Sequence, residues 1–174
     1  PRTRHLEGSQ LGPGDEDLRQ IRFREIAGQP LVVEEKLDGA NCGISFDSKR
    51  NLRLQSRGHY LSGGPREAQF ARLKQWAHQH QQFLWECLTD RFVMYGEWLF
   101  AKHTIYYDRL PSYFIEFDIF DRIEKTFLDS VRRQELLKPL VMKIKLVSAP
   151  ILQTDWRWGR PRPAGRAAPA ADAP

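Results

Sequence analysis

Cysteine is scarce in this sequence: only Cys42 and Cys87 occur among 174 residues. Their separation matches no metal-ligand spacing, and two thiols cannot build a disulfide framework. This excludes a disulfide-stapled mini-domain and fits a reducing compartment. Long apolar runs are also missing. None approaches the ~20 residues needed to cross a bilayer, and no apolar leader stands at the N-terminus, so the expected setting is the cytoplasm with no membrane partner. Charge of one sign is not dominant either. The formal net charge is +5, of which Arg157, Arg160, Arg162 and Arg166 against Asp155 and Asp172 supply +2, leaving a mild basic bias elsewhere. Such a bias assists encounter with phosphate and dictates nothing about fold. No internal repeat is present.

What is there suffices for a core. Hydrophobic residues make up 41% and aromatics 11% of the chain, a composition that folds rather than stays disordered. After an irregular lead-in rich in Gly, Pro and charge, the period-2 segments Leu31–Leu37, "NCGISFD" and "NLRLQSRG" predict an antiparallel meander. In "PREAQFARLKQWAHQHQQFLWECL" the apolar residues Phe70, Leu73, Ala77, Leu84, Cys87 and Leu88 recur every three or four positions, which predicts one long amphipathic helix. Strands return at "RFVMYGEWLF" and "YFIEFDIFD". A helix is expected over Leu128–Leu137 and a last strand near "KLVSAPIL". The fold class is therefore α+β, rich in antiparallel sheet. The expected domain covers residues 1–152, with a disordered Pro/Ala/Arg-rich tail over 153–174.

Chemistry concentrates first in "VVEEKLDGANCGISF". Two apolar runs around Asp38-Gly39 signal a two-residue hairpin turn. Lys36 in the same stretch opens a Lys-x-Asp-Gly pattern suited to an amine nucleophile. A lysine ionises near pH 10.4 in model peptides, so attack at neutral pH needs burial or nearby cations to lower that value, whereas Glu34, Glu35 and Asp38 alone raise it. Both the hairpin and the nucleophile remain open at this point.

Three further pieces follow in order. In "QSRGHY", Arg57 before Gly58 ends a strand, where a guanidinium can clamp phosphate or simply sit on a turn. In "MYGEWLF", Glu97 stands in an otherwise apolar strand and wants a cation or a donor if buried. "YFIEFDIFD" alternates strictly, with Tyr113, Ile115, Phe117 and Ile119 on one side and Phe114, Glu116, Asp118 and Phe120 on the other. A phenylalanine there can stack on a nucleobase or serve the core.

Taken together, Lys36-x-Asp38-Gly39-x-Asn41, Ser56-Arg57-Gly58, Tyr95-Gly96-Glu97-Trp98 and Phe117-Asp118 resemble nucleotidyltransferase motifs I, Ia, III and IIIa of the covalent ligase superfamily. The wording is most similar to ATP-dependent RNA ligases of the RNA ligase 2 type, in a bacterial branch, over residues 1 to about 152. The resemblance implies an ATP-grasp-like adenylation domain and RNA sealing with ATP and Mg2+. Lys36 would be the nucleophile; Glu35, Asp38 and Asn41 would line the nucleotide pocket; Arg57 would hold phosphate or ribose; Glu97 would meet ribose or the metal's water shell; and Phe117 would stack on adenine. The partner would be RNA with 5′-phosphate and 3′-hydroxyl ends. Motif IV and the paired lysines of motif V are absent, so the expected domain is incomplete. "LVMKIKL" carries Lys143 and Lys145, but it follows Asp118 too soon and reads better as a basic helix-to-strand connection. Competing readings are a nucleotide- or RNA-binding fragment that does not turn over, and a DNA ligase or capping-type nucleotidyltransferase. Oligomeric state is not legible.

Overall fold

The computed structural model describes residues 4–11 and 17–157. Contacts divide the chain into two units, residues 1–33 with 152–174 and Glu34–Ile151. In the first unit a bridge joins Leu6 to Ile21, and a four-residue helix α1 (Phe23–Ile26) is closed by Glu25, which accepts from the Arg22 amide at 3.0 Å. Strand β1 (Leu31–Glu34) pairs with β9 (Ile151–Trp156). The tail expected to be disordered from residue 153 therefore begins as strand: β9, paired with β1, runs to Trp156. The remainder of the expected tail, 158–174, lies outside the described residues.

The second unit is built on a sheet ordered β4-β3-β2-β5-β6-β7, with β8 beside β6. Its strands are β2 (Ala40–Phe46), β3 (Leu52–Ser56), β4 (His59–Tyr60), β5 (Phe92–Trp98), β6 (Phe114–Asp121), β7 (Thr126–Phe127) and β8 (Val147–Ser148). The ladders of the ordered path are antiparallel, and β6 with β8 is parallel. The expected α+β class holds.

Facing residues of paired strands share a side. One face of the sheet thus collects Cys42, Ile44, Phe46, Leu54, Met94, Trp98, Phe114 and Ile119. Helices α2 (Ala71–Gln79), α3 (Gln81–Leu88) and α4 (Ser130–Ile144) cover it with Leu73, Ala77, Leu84, Leu88, Leu137 and Leu140 in a single buried cluster. Burying each of these leucines is worth roughly 1.5–3 kcal/mol. The single long helix expected over residues 65–88 is instead a 3₁₀ turn (Pro65–Phe70) and two helices broken at His80 (φ −104°, ψ 11°). The apolar period survives the break, which is why the sequence conceals it. The last helix runs past its expected end to Ile144. Lys143 pairs there with Glu86 at 3.2 Å, and Lys145 caps the helix in the left-handed region, so most of the segment expected as a connection is helix and only Lys145 and Leu146 link it to β8.

The strict alternation expected for β6 does not hold. Tyr95 pairs with Asp118 but Gly96 pairs with Glu116, so Phe117 is an extra residue in the ladder. This bulge switches the side on which odd residues project. Phe114 and Ile119, five apart, consequently share the helix-covered core, while Ile115 and Phe117 pack with Leu37, Leu99 and Ala149 in a second cluster.

Candidate functional site

The second face of the sheet carries Asn41 opposite Glu97, Glu97 opposite Ile115, Gly43 opposite Tyr95, and Tyr95 opposite Asp118. Lys36 lies in the irregular segment between β1 and β2. The hairpin expected at Asp38-Gly39 is absent. β1 pairs with β9 and not with β2, and Gly39 does not have the positive φ that a primed turn demands. Gly39 is needed for another reason: a Cβ at this position would stand 2.6 Å from the Trp98 carbonyl oxygen. That close approach lets the Gly39 amide donate to Glu97 Oε1 at 2.9 Å.

Asp38 is held just as firmly. Its Oδ2 accepts from the amides of Thr104 (2.8 Å) and Ile105 (3.1 Å), and its own amide donates to the Tyr107 hydroxyl at 2.9 Å. Those two amide bonds hold its carboxyl below the ordinary carboxylate range. The loop between β5 and β6 thereby braces the segment that carries Lys36. The Glu35 amide donates to the Pro150 carbonyl at 2.9 Å, bracing the same segment from its other end.

Burial raises the Glu97 carboxyl above its usual range, opposed by the Gly39 amide and by the positive charge of Lys36. The charge of Lys36 is therefore felt at the Glu97 carboxyl. Phe117 lies one strand further on, half-buried against the Leu37 cluster. Arg57 is exposed at the turn that follows Ser56, whose hydroxyl donates to the Asn41 carbonyl at 3.1 Å. Ser56 pairs with Cys42, so Arg57 sits one residue beyond that rung, at the same end of the sheet as Asn41 and Glu97. Glu35 and Lys36 are exposed. Among the described residues, no three His, Cys, Asp or Glu side chains gather as a metal cage.

Sequence reasoning missed a group behind this face. Arg133 of α4 is buried and donates to both carboxylate oxygens of Glu34 and to the Phe117 carbonyl. Glu116 is fully buried, accepts from the Ser148 hydroxyl at 2.7 Å, and is pushed by burial up to about 7, with Arg133 opposing. Asp118 is pushed up to about 6 by the same cause. The only signal in the sequence was three acidic residues in strand patterns and an arginine in a helix, separated by up to 99 positions.

Residues 29–162, more than half of the chain, match the family model for RNA ligase. No curated protein matches the chain. Among solved structures, a Naegleria gruberi RNA ligase shares the fold. Its lysine-to-alanine variant with ATP and Mn aligns with a TM-score of 0.58 at 23% identity over 76% of this chain and 39% of that one. The same ligase with PPi gives 0.57 at 23% over 76% and 39%. A glutamate-to-alanine variant with AMP and Mn gives 0.56 at 22% over the same shares, 76% and 39%. The chain thus spans about two-fifths of the length of those chains.

Proposed function

Since the chain belongs to the RNA ligase family, we propose that it carries the nucleotide-charging centre of an ATP-dependent RNA ligase, with Lys36 as the nucleophile. The observation that supports this reading is the Gly39–Glu97 hydrogen bond at 2.9 Å, which ties the segment bearing Lys36 to the carboxylate of β5. The deprotonated Lys36 amine attacks the α-phosphorus of ATP. A P–N bond forms, the bond to the bridging oxygen breaks, and pyrophosphate leaves. An oxygen of an RNA 5′-phosphate then attacks the same phosphorus and displaces the lysine, which regains a proton. Attack by an RNA 3′-hydroxyl on the activated 5′-phosphate releases AMP and leaves a phosphodiester bond.

Each step is an in-line displacement, so positioning and charge neutralisation carry the catalysis. Asp38 and Gly39 set the height of Lys36. Asn41 and Glu35 line the nucleotide pocket, Arg57 takes a phosphate or the ribose, and Phe117 stacks on adenine. A magnesium ion held chiefly by substrate phosphates and water needs only one or two protein carboxylates. Glu97, a half-buried carboxylate within electrostatic reach of Lys36, would meet that requirement. Magnesium would draw electron density from the phosphate oxygens. The proposed setting is the cytoplasm, where the free, buried Cys42 and Cys87 stay reduced.

Incubation with ATP labelled at the α-phosphate, with magnesium, tests the proposal. The protein should acquire label, Lys36→Ala should acquire none, and ATP should label far better than GTP. Label that persists on Lys36→Ala would sink the assignment. Equal labelling by GTP would move the protein toward capping-type enzymes. A nicked duplex with a 5′-phosphate tests the later steps. Absence of sealing by a chain that does take label would favour a fragment that charges but does not join.

A further inference from the structure

Behind the face just described, one arginine touches both of the segments that the adenylylation reading depends on. Asp129 caps α4, accepting from the Arg132 amide at 2.9 Å, and the Arg133 amide donates to the Asp129 carbonyl at 2.9 Å. This fixes Arg133 in the first turn with its side chain 5% exposed. One guanidinium nitrogen donates to the Phe117 carbonyl and also to Glu34 Oε2 at 3.2 Å; the other terminal nitrogen donates to Glu34 Oε1. Nε lies 3.7 Å from Glu116 Oε1, and neither atom has a hydrogen-bond partner.

The two anchors matter because of where they sit. Glu34 ends β1, two residues before Lys36. Phe117 is the residue left out of the β5–β6 register, and a bulged residue drops out of ladder bonding and needs another partner. The planar fork of arginine can grip a carboxylate with two bonds and still direct one toward a carbonyl, which a lysine ammonium cannot do across this span. The groups facing it are Glu34 from β1, and Glu116, Asp118 and the Phe117 carbonyl from β6, with Ser148 of β8 behind Glu116. One cation is therefore shared among three carboxylates, so its removal leaves mutual repulsion between the very segments it joins.

We propose that Arg133 is a positioning residue for adenylylation, a clip that sets the distance between the segment bearing Lys36 and the bulge bearing Phe117. The inference rests on the proposed reading of Lys36 and Phe117. In-line attack tolerates displacements well below 1 Å before the rate falls steeply, so a shift of either anchor is read out at the nucleotide even though Arg133 never touches it.

Two measurements on the same chain separate this from the reading it rests on. The first is single-turnover labelling by α-labelled ATP at saturating nucleotide, comparing wild type with Arg133→Lys, Arg133→Met and Glu34→Gln. Arg133→Lys keeps the positive charge and should still lose at least tenfold in rate. Arg133→Met should lose more, and Glu34→Gln, which keeps an acceptor, should lose less. The second is hydrogen exchange without nucleotide. Amides of residues 33–37 and 115–119 should exchange faster in both Arg133 variants, while β2, β3 and the α2–α3 pair keep their protection. If wild type takes no label, the ligase reading fails, and the exchange data still decide whether the clip exists. If wild type and Arg133→Lys label at equal rates, or if the two segments exchange as in wild type, the proposal is overturned. A general rise in exchange across all three variants also overturns it, because it assigns Arg133 to overall stability.

Discussion

The middle of β6 and its C-terminal end hold acids in opposite conditions. At the C-terminal end Asp121 is fully buried yet accepts four hydrogen bonds, from Arg91 Nε (2.9 Å) and Nη2 (2.5 Å) and from the amides of Ile123 (2.8 Å) and Glu124 (3.1 Å). The Arg91 bonds lead in holding its carboxyl down to about 2. In the middle, Glu116 and Asp118 share Arg133 with Glu34, one Glu116 oxygen has no partner, and burial lifts them to about 7 and 6. The first arrangement satisfies every charge and serves only the fold. The second leaves charge under-compensated where the bulge aims Phe117, beside the proposed chemistry. Perturbed acids cluster at working sites because function tolerates what stability alone would remove.

The sharpest way to break this contrast is at the satisfied end. Asp121→Asn keeps size but replaces a carboxylate that accepts two arginine bonds. Breaking a buried pair costs roughly 3–5 kcal/mol, and the lower end applies here because Arg91 is partly exposed. Urea unfolding should show a loss of about 3 kcal/mol, with label per folded molecule unchanged. A loss of labelling without a loss of stability would put Asp121 in the site after all.

How much of this was legible in the sequence follows from the range of each signal. The residues Lys36, Asp38, Asn41, Glu97 and Phe117 were nominated together only by their resemblance to short family motifs, and the structure sets Asn41 opposite Glu97, Lys36 within electrostatic reach of it, and Phe117 on the adjoining strand. The sheet class and the helix-covered core were legible because periodicity is local. The hairpin was misread because Asp-Gly is ambiguous: here the glycine serves a close approach to Trp98 and the aspartate caps amides of a loop 66 residues on. The bulge was illegible because strict alternation of apolar residues looks the same with or without one extra residue. The Arg133 cluster was illegible because its members come from three elements with no shared spacing.

The next test sits on the site face itself. Glu97→Gln retains an oxygen that can accept from the Gly39 amide, so the melting temperature should move little. Labelling should fall by tenfold or more, about 1.4 kcal/mol of transition-state stabilisation. A variant that melts much earlier would make Glu97 a structural partner of Gly39 and nothing more.

The smallest effect expected is a slope against pH. Glu116 and Asp118 have folded-state pKa values of about 7 and 6, above those of the unfolded chain. Over the window between the two sets of values, the folded protein holds more protons than the unfolded one. Stability from these groups is therefore fully present below about pH 4 and is lost as pH rises through 6 and 7. Glu116→Gln places a permanently neutral group where the Ser148 hydroxyl can still donate. It removes the Glu116 part of the slope, so the variant should match wild type near pH 4 and gain on it as pH rises to 8. Urea midpoints at the two pH values measure this directly. A variant less stable than wild type at pH 8 would mean that Glu116 is held ionised by Arg133, and that the middle of β6 is as well satisfied as its end.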